Sequence, residues 1–435
     1  MDKVKTSRNP ENHRDYPGTA RQGKCSHYPS LFSSVLFILG ALLVFGIALV
    51  MAVTALTSLF TRTEVRAEQT VLLVAFGFEG LVLLAAAFFA FQKFLQKSSV
   101  DAEVSISISN WQIAVLVIIA AASILIGYQI GGIQTISWIF LPVLTIPAVV
   151  FPLGVLLAVG TRNLPVGTRW QTWSVLGLGM TLAPILLFTL EIFAGLVIVS
   201  VVVAYVVTQP ALSSELQSLS QQIMILGPQS EATLDLLSPL FTKPGVIVTA
   251  LIYMAVLVPA IEELFKPIGV WLLAGRLESP AQGFTLGALS GAGYGLIETI
   301  GVSGQTGEWA SLLFTRIGTG LLHITTSALM GGAIVLVWRE RRYLRWIGTY
   351  LLAVLLHGLW NTLALLFSFS SIAEVLEQPG RLSSIQPGII IGMSLLAIVL
   401  FGILVISNRR MRKTIPPLPM EPTVPGESME ISETM

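Results

Sequence analysis

Residues 245–275, GVIVTALIYMAVLVPAIEELFKPIGVWLLAG, decide how this chain reads. The stretch is apolar for longer than the roughly 20 residues that a helix needs to cross a bilayer core. It nevertheless carries Glu262, Glu263 and Lys266. Ionisable groups at that depth cost several kcal/mol unless they are paired or put to use. The segment therefore reads as a membrane-spanning helix with a site in it. Working outward, comparable apolar runs lie at 32–58, 71–91, 111–130, 136–159, 173–205, 283–303, 310–338, 346–368 and 388–407, which makes ten expected spans. The expected fold is all-α, a polytopic transmembrane helical bundle of about ten spans.

Composition points the same way. Hydrophobic residues make up 54% of the 435 and charged residues only 11%, too much apolar surface for a soluble fold. The net charge of +1 gives no footprint for nucleic acid, and none is expected as a partner. The lone cysteine, Cys25, excludes an intrachain disulfide framework and a Cys-based metal site. No apolar core followed by a small-residue cleavage site occurs in the first 30 residues, so no cleaved signal peptide is expected.

Placing the N-terminus in the cytoplasm puts all but Arg62, Arg66, Lys243, Arg316 and Arg381 of the 25 Lys and Arg on or toward that side. The bias predicts both termini cytoplasmic. The organisation that follows is a polar tail (1–30), a five-span membrane region (31–207), an external Ser/Gln-rich segment (208–242), a second membrane region (243–407) and a disordered Pro/Glu-rich tail (408–435). The run 173–205 exceeds one crossing and contains Pro184, so a tilt, kink or protrusion is expected there.

Three further spans of the second region carry buried-type polar residues: Glu298, His323 and His357. At about 1.5 Å rise per residue, Glu262, Glu298, His323 and His357 lie roughly 20, 22, 22 and 16 Å from the cytoplasmic ends of their spans, one layer near the bilayer centre. Spacing adds detail. Glu262 and Lys266 stand at i, i+4 and Glu263 and Lys266 at i, i+3, so either acid reaches the lysine, the first in the better order. Adjacent glutamates in low dielectric do not both ionise cheaply, which leaves one for general-base work. Pro267 removes a helical hydrogen bond to Glu263 and predicts a kink beside a water-accessible cavity. Gly283, Gly287, Gly291 and Gly295 recur every four residues, a stripe for close helix packing. Tyr294 and Glu298 share one face, as do His357 and Asn361, the latter pair placed to donate to a developing oxyanion.

In this order, Glu262-Glu263-Leu264-Phe265-Lys266, then Tyr294 to Glu298, then His323, then His357-Gly358-Leu359-Trp360-Asn361, the chain resembles the PrsW family of intramembrane proteases. That family is related to the type II CAAX prenyl endopeptidases and the wider glutamic intramembrane protease group. The resemblance covers about residues 245–368. It implies peptide-bond hydrolysis within a membrane protein substrate, with Glu262 or Glu263 activating water, Glu298 and His323 completing the acid/base set, and His357 and Asn361 binding the oxyanion. Lys266 and Tyr294 would support them. Departures are Tyr294 where relatives often have Phe and Thr299 where Asn is common. The resemblance further implies a metal-independent site with no cofactor, an anti-sigma-factor-like single-pass protein as one class of substrate, and a prokaryotic cytoplasmic membrane as the location.

The residues alone leave other readings open. Arg316, seven positions before His323, is expected to pair with an acid or snorkel outward. Glu79 and Glu191 read as packing acids of the first region. Zinc would find two histidines and several glutamates, but no His-Glu-x-x-His helix. The alternative function is a proton- or ion-coupled transporter, which would repeat its polar residues in both halves; here the second half holds nearly all of them.

Overall fold

A computed structural model of the chain describes residues 27–104, 108–227, 230, 232–233, 236–237, 243–304, 309–375 and 384–413. The expected polar tail falls almost wholly outside the described residues, as does the C-terminal tail beyond residue 413. Among the described residues there is no strand, only an isolated bridge between Glu103 and Thr168. The helices are α1 (Tyr28–Phe60), α2 (Ala67–Phe94), α3 (Asn110–Ile130), α4 (Gln134–Gly160), α5 (Arg169–Met180), α6 (Leu182–Val207) and α7 (Pro210–Leu226). They are followed by α8 (Pro244–Ile252), a π-helical turn (Tyr253–Leu257), α9 (Val258–Phe265), α10 (Ile268–Leu273), α11 (Pro280–Val302), α12 (Trp309–Glu340), α13 (Tyr343–Val375) and α14 (Gln386–Arg412).

Nine segments among the described residues are long and apolar enough to cross a membrane, with α5–α6 and the run from α8 to Arg276 each counting as one. The expected span 283–303 is present as α11 but is not among the nine. Its glycines, Thr285, Ser290 and Glu298 lower its apolarity, and it has little need of a lipid-compatible surface. Nearly every residue from Ala281 to Ile300 is buried, against α12 above all and also α4, α5 and α10. Ser279 caps its start by accepting from the Gln282 amide at 3.2 Å, with Pro280 in the first turn.

Small residues set the contacts of this inner helix. A Cβ on Gly287 would overlap the Ser327 carbonyl, and one on Gly291 the His323 carbonyl. The stripe therefore lays the α11 backbone directly on α12. On its other side α11 meets α5, where Gly179 faces the Ser290 carbonyl and Gly293 the Leu176 carbonyl. Between apolar helices in lipid, such close packing replaces the water-driven burial that organises soluble cores. Outward faces are apolar too: Ile192, Phe193, Leu196 and Val199 of α6 are all exposed.

Two expected spans are broken rather than merely bent. The run 173–205 is two helices parted at Thr181, whose backbone leaves helical geometry (φ −123°, ψ −71°), where Pro184 has no amide hydrogen to offer the preceding turn. The run 245–275 ends its helix at Phe265, with Pro267 opening α10, a break where a kink is expected from sequence. It also contains the π turn, which the sequence reading did not anticipate. The segment 208–242 is not simply a loop, since α7 occupies its first half with no buried residue.

Candidate active site

Lys266 is the centre of the polar cluster. Its side chain is wholly buried and its ammonium Nζ lies 2.5 Å from Glu263 Oε1, 3.2 Å from Glu262 Oε2, 2.9 Å from His323 Nδ1 and 3.3 Å from His357 Nδ1. It sits 5.7 Å from the centre of the Tyr294 ring. The local fold explains why it stays there. Lys266 is the last residue before Pro267, its carbonyl accepts from the Ser290 hydroxyl at 2.7 Å, and Trp271 Nε1 donates to the Leu264 carbonyl at 2.9 Å. Carbonyls near the break thus receive side-chain donors, which a buried interruption requires.

The acids divide the surrounding cations between them. Glu263, fully buried, takes Lys266 and His357 Nδ1, the latter at 2.7 Å. Glu298 takes His323 Nε2 at 2.6 Å and Arg316 at 2.8 Å, so Arg316 pairs with an acid. Glu262 is left with the longer contact, its Oε2 3.2 Å from Lys266 and 3.9 Å from His357 Nε2; neither that oxygen nor Glu263 Oε2 has a hydrogen-bond partner among the described residues. From sequence, the i, i+4 order favours Glu262 as the tighter partner of Lys266 and, on that ground, as the base; the structure reverses the pairing, with Glu263 closer to Lys266 and also bound to His357 Nδ1.

Hydrogen-bond logic also separates the two histidines. His323 Nδ1 faces an ammonium and accepts, so its Nε2–H donates to Glu298. His357 Nδ1 faces a carboxylate at 2.7 Å and donates, leaving Nε2 turned toward Glu262. The rings meet edge to face at 5.6 Å, and Tyr294 meets His323 likewise at 5.1 Å.

Of the residues singled out from sequence, Glu262, Glu263, Lys266, Tyr294, Glu298, His323 and His357 come together. Asn361 does not join their contacts: its amide donates to the Met254 carbonyl at 2.8 Å. There it supports the π turn, against which Gly358 also packs without space for a Cβ. Wide π turns recur at functional sites, and this one precedes the two glutamates by one turn. Sequence reasoning missed Ser290 as a ligand of the break, hidden in a stripe that reads as packing, and the central position of Lys266.

Residues 168–400 match the PrsW family, described as PrsW family intramembrane metalloprotease. Comparison with curated proteins and with solved structures finds no match. The family match starts well before the motif, taking in α5 and α6. That accords with α5 packing on α11 and with Leu187 of α6 packing on Tyr294. That description names a metal. Among the described residues no three His, Cys, Asp or Glu side chains are grouped to hold an ion. Glu262, Glu263, His323 and His357 instead converge on the Lys266 ammonium, which fills the position a cation would take. The cluster does not fit a metal site with Lys266 in place. With more than half of its length inside the family match, and with that match laid over a bundle of membrane-type helices, the chain belongs to the PrsW family of intramembrane proteases.

Proposed function

We propose that this protein is a metal-independent glutamic endopeptidase that hydrolyses a peptide bond of a membrane protein substrate at the Lys266-centred cluster. The observation that carries the proposal is the unequal satisfaction of the two adjacent glutamates. Glu263 Oε1 is gripped by both Lys266 and His357 Nδ1, at 2.5 and 2.7 Å, whereas Glu262 has only the longer 3.2 Å contact of its Oε2 to Lys266, with His357 Nε2 3.9 Å from that same oxygen.

Charge arithmetic supplies the proton. Glu262, Glu263 and Glu298 face two lasting cations, Lys266 and Arg316, so one proton neutralises the group. Low dielectric makes that neutrality worth several kcal/mol. In this mechanism the proton resides on His357, whose Nδ1–H is held by Glu263 and whose Nε2–H then points into the space beside Glu262. Glu262 takes a proton from water as the water oxygen bonds to the substrate carbonyl carbon. The oxyanion that forms is held by His357 Nε2–H. Glu262 passes its proton to the amide nitrogen, the C–N bond breaks, and a carboxyl and an amine terminus leave. His323, held by Glu298, keeps Lys266 in place, so both act as positioning residues, and Asn361 shapes the π turn. The substrate class implied by the resemblance is a single-pass, anti-sigma-factor-like protein in a prokaryotic cytoplasmic membrane.

Co-expression with a tagged single-pass reporter tests the reading. Wild type is expected to release two fragments, and Glu262→Ala and His357→Ala to release none above background. Equal cleavage by all three would remove these residues from the chemistry.

A further inference from the structure

Glu191 was read from the sequence as a packing acid of the first membrane region, but its position in the fold is different. It lies on α6 one turn beyond Leu187, which is buried against Tyr294, so the α6 face that carries it meets the candidate site. Its backbone carbonyl accepts from the Tyr253 hydroxyl at 2.9 Å, joining α6 to the π turn. Its carboxyl is within electrostatic reach of Glu262, Glu298 and Lys266. Oxygen Oε1 is buried and has no hydrogen-bond partner among the described residues. The next two residues, Ile192 and Phe193, are exposed and apolar on the outer surface of α6. Glu191 therefore stands between the lipid-facing surface and the cluster.

We infer that Glu191 is a substrate-recognising residue that receives a Lys or Arg side chain lying beside the scissile bond. The inference rests on the protease reading above. Every other acid of the site touches a cation: Glu263 and Glu262 share Lys266, and Glu298 has Arg316 beside His323. Among the described residues no lasting cation forms an ion pair with Glu191. An acid at membrane depth without a counter-charge is costly, and a substrate segment moving in from the lipid past α6 would supply one. Selectivity then comes from offering a cation to a buried carboxyl that otherwise touches none, the situation in which a buried polar partner discriminates most strongly.

The test uses the full-length protein in liposomes and single-pass substrates differing only in Lys, Leu or Glu at each position flanking the cleavage site. Wild type is expected to favour Lys over Leu at one position by about 10-fold or more in kcat/KM. Glu191→Gln is expected to bring that ratio to about 1 and Glu191→Lys to turn it toward the Glu substrate, a reversal that a packing role would not produce. Fluorescence binding of the same substrates to a Glu262→Gln protein is expected to give the same order without cleavage. A wild-type protein that handles Lys and Leu substrates alike overturns the assignment without any variant. So does a Glu191→Gln protein that keeps the wild-type ratio. If wild type cleaves none of the substrates, the protease reading fails, while the binding series still reports on Glu191.

Discussion

The two adjacent glutamates are chemically identical and are made different by their neighbours. Glu263 is fully buried between Lys266 and His357. Removing one partner of such a pair leaves a buried charge uncompensated, at about 3–5 kcal/mol. Glu263→Gln is therefore expected to lower the thermal unfolding temperature clearly as well as activity, measured by scanning fluorimetry in detergent. Glu262→Gln is expected to leave that temperature near wild type while kcat/KM falls by about 10²- to 10⁴-fold, the range for losing a general base. Much of this was legible in the sequence, because charge in an apolar span stands out against its surroundings. Which glutamate binds the lysine more tightly was not legible. Both spacings, i+3 and i+4, reach Lys266, and the choice is made by His357, 94 positions from Glu263 along the chain. Asn361 shows the same limit: its spacing from His357 put it on the right face, but the acceptor that claims it, the Met254 carbonyl, is exposed by a turn with no local signature.

Helix architecture places these side chains within bonding distance. The α11 stripe brings its backbone against α12 at His323, so the position of that imidazole depends on a glycine. Gly291→Ala would force the two helices apart, with an expected cost of about 1–3 kcal/mol from overpacking and a marked loss of activity. Gly301→Ala, on the same helix with open space around it, is the control, expected to unfold and cleave as wild type does. The glycine period, the break at Pro267 and the trouble around Pro184 were all readable, since glycine and proline act through local backbone chemistry. The π turn was not, because its support comes from α13 through Asn361 and Gly358. Nor was α11 readable as the innermost helix by apolarity alone; its small residues reveal that place only once α5 and α12 are seen on either side.

For the whole molecule, apolar residues on both the inside and the outside make it a membrane bundle, and polar residues concentrate where α9, α11, α12 and α13 meet. Topology is open to a direct check through Cys25, the chain's one cysteine. With the N-terminus cytoplasmic, as the Lys and Arg distribution proposes, an impermeant maleimide added to intact cells is expected to leave Cys25 unlabelled until the membrane is opened. The Lys266-centred arrangement carries a further consequence: chelators such as EDTA and 1,10-phenanthroline are expected to leave cleavage unchanged, assayed on the purified protein. The chain-length view from sequence was accurate on fold class. It undervalued α5 and α6, whose bearing on the site comes through packing on α11 and Tyr294 and not through a motif. The most direct test of the central claim is the cleavage rate of a defined single-pass substrate by purified protein in chelator-treated liposomes, wild type beside Glu262→Gln. Wild type is expected to generate fragments with matching new termini by mass spectrometry, and the folded Glu262→Gln protein almost none; equal rates for the two would contradict the account.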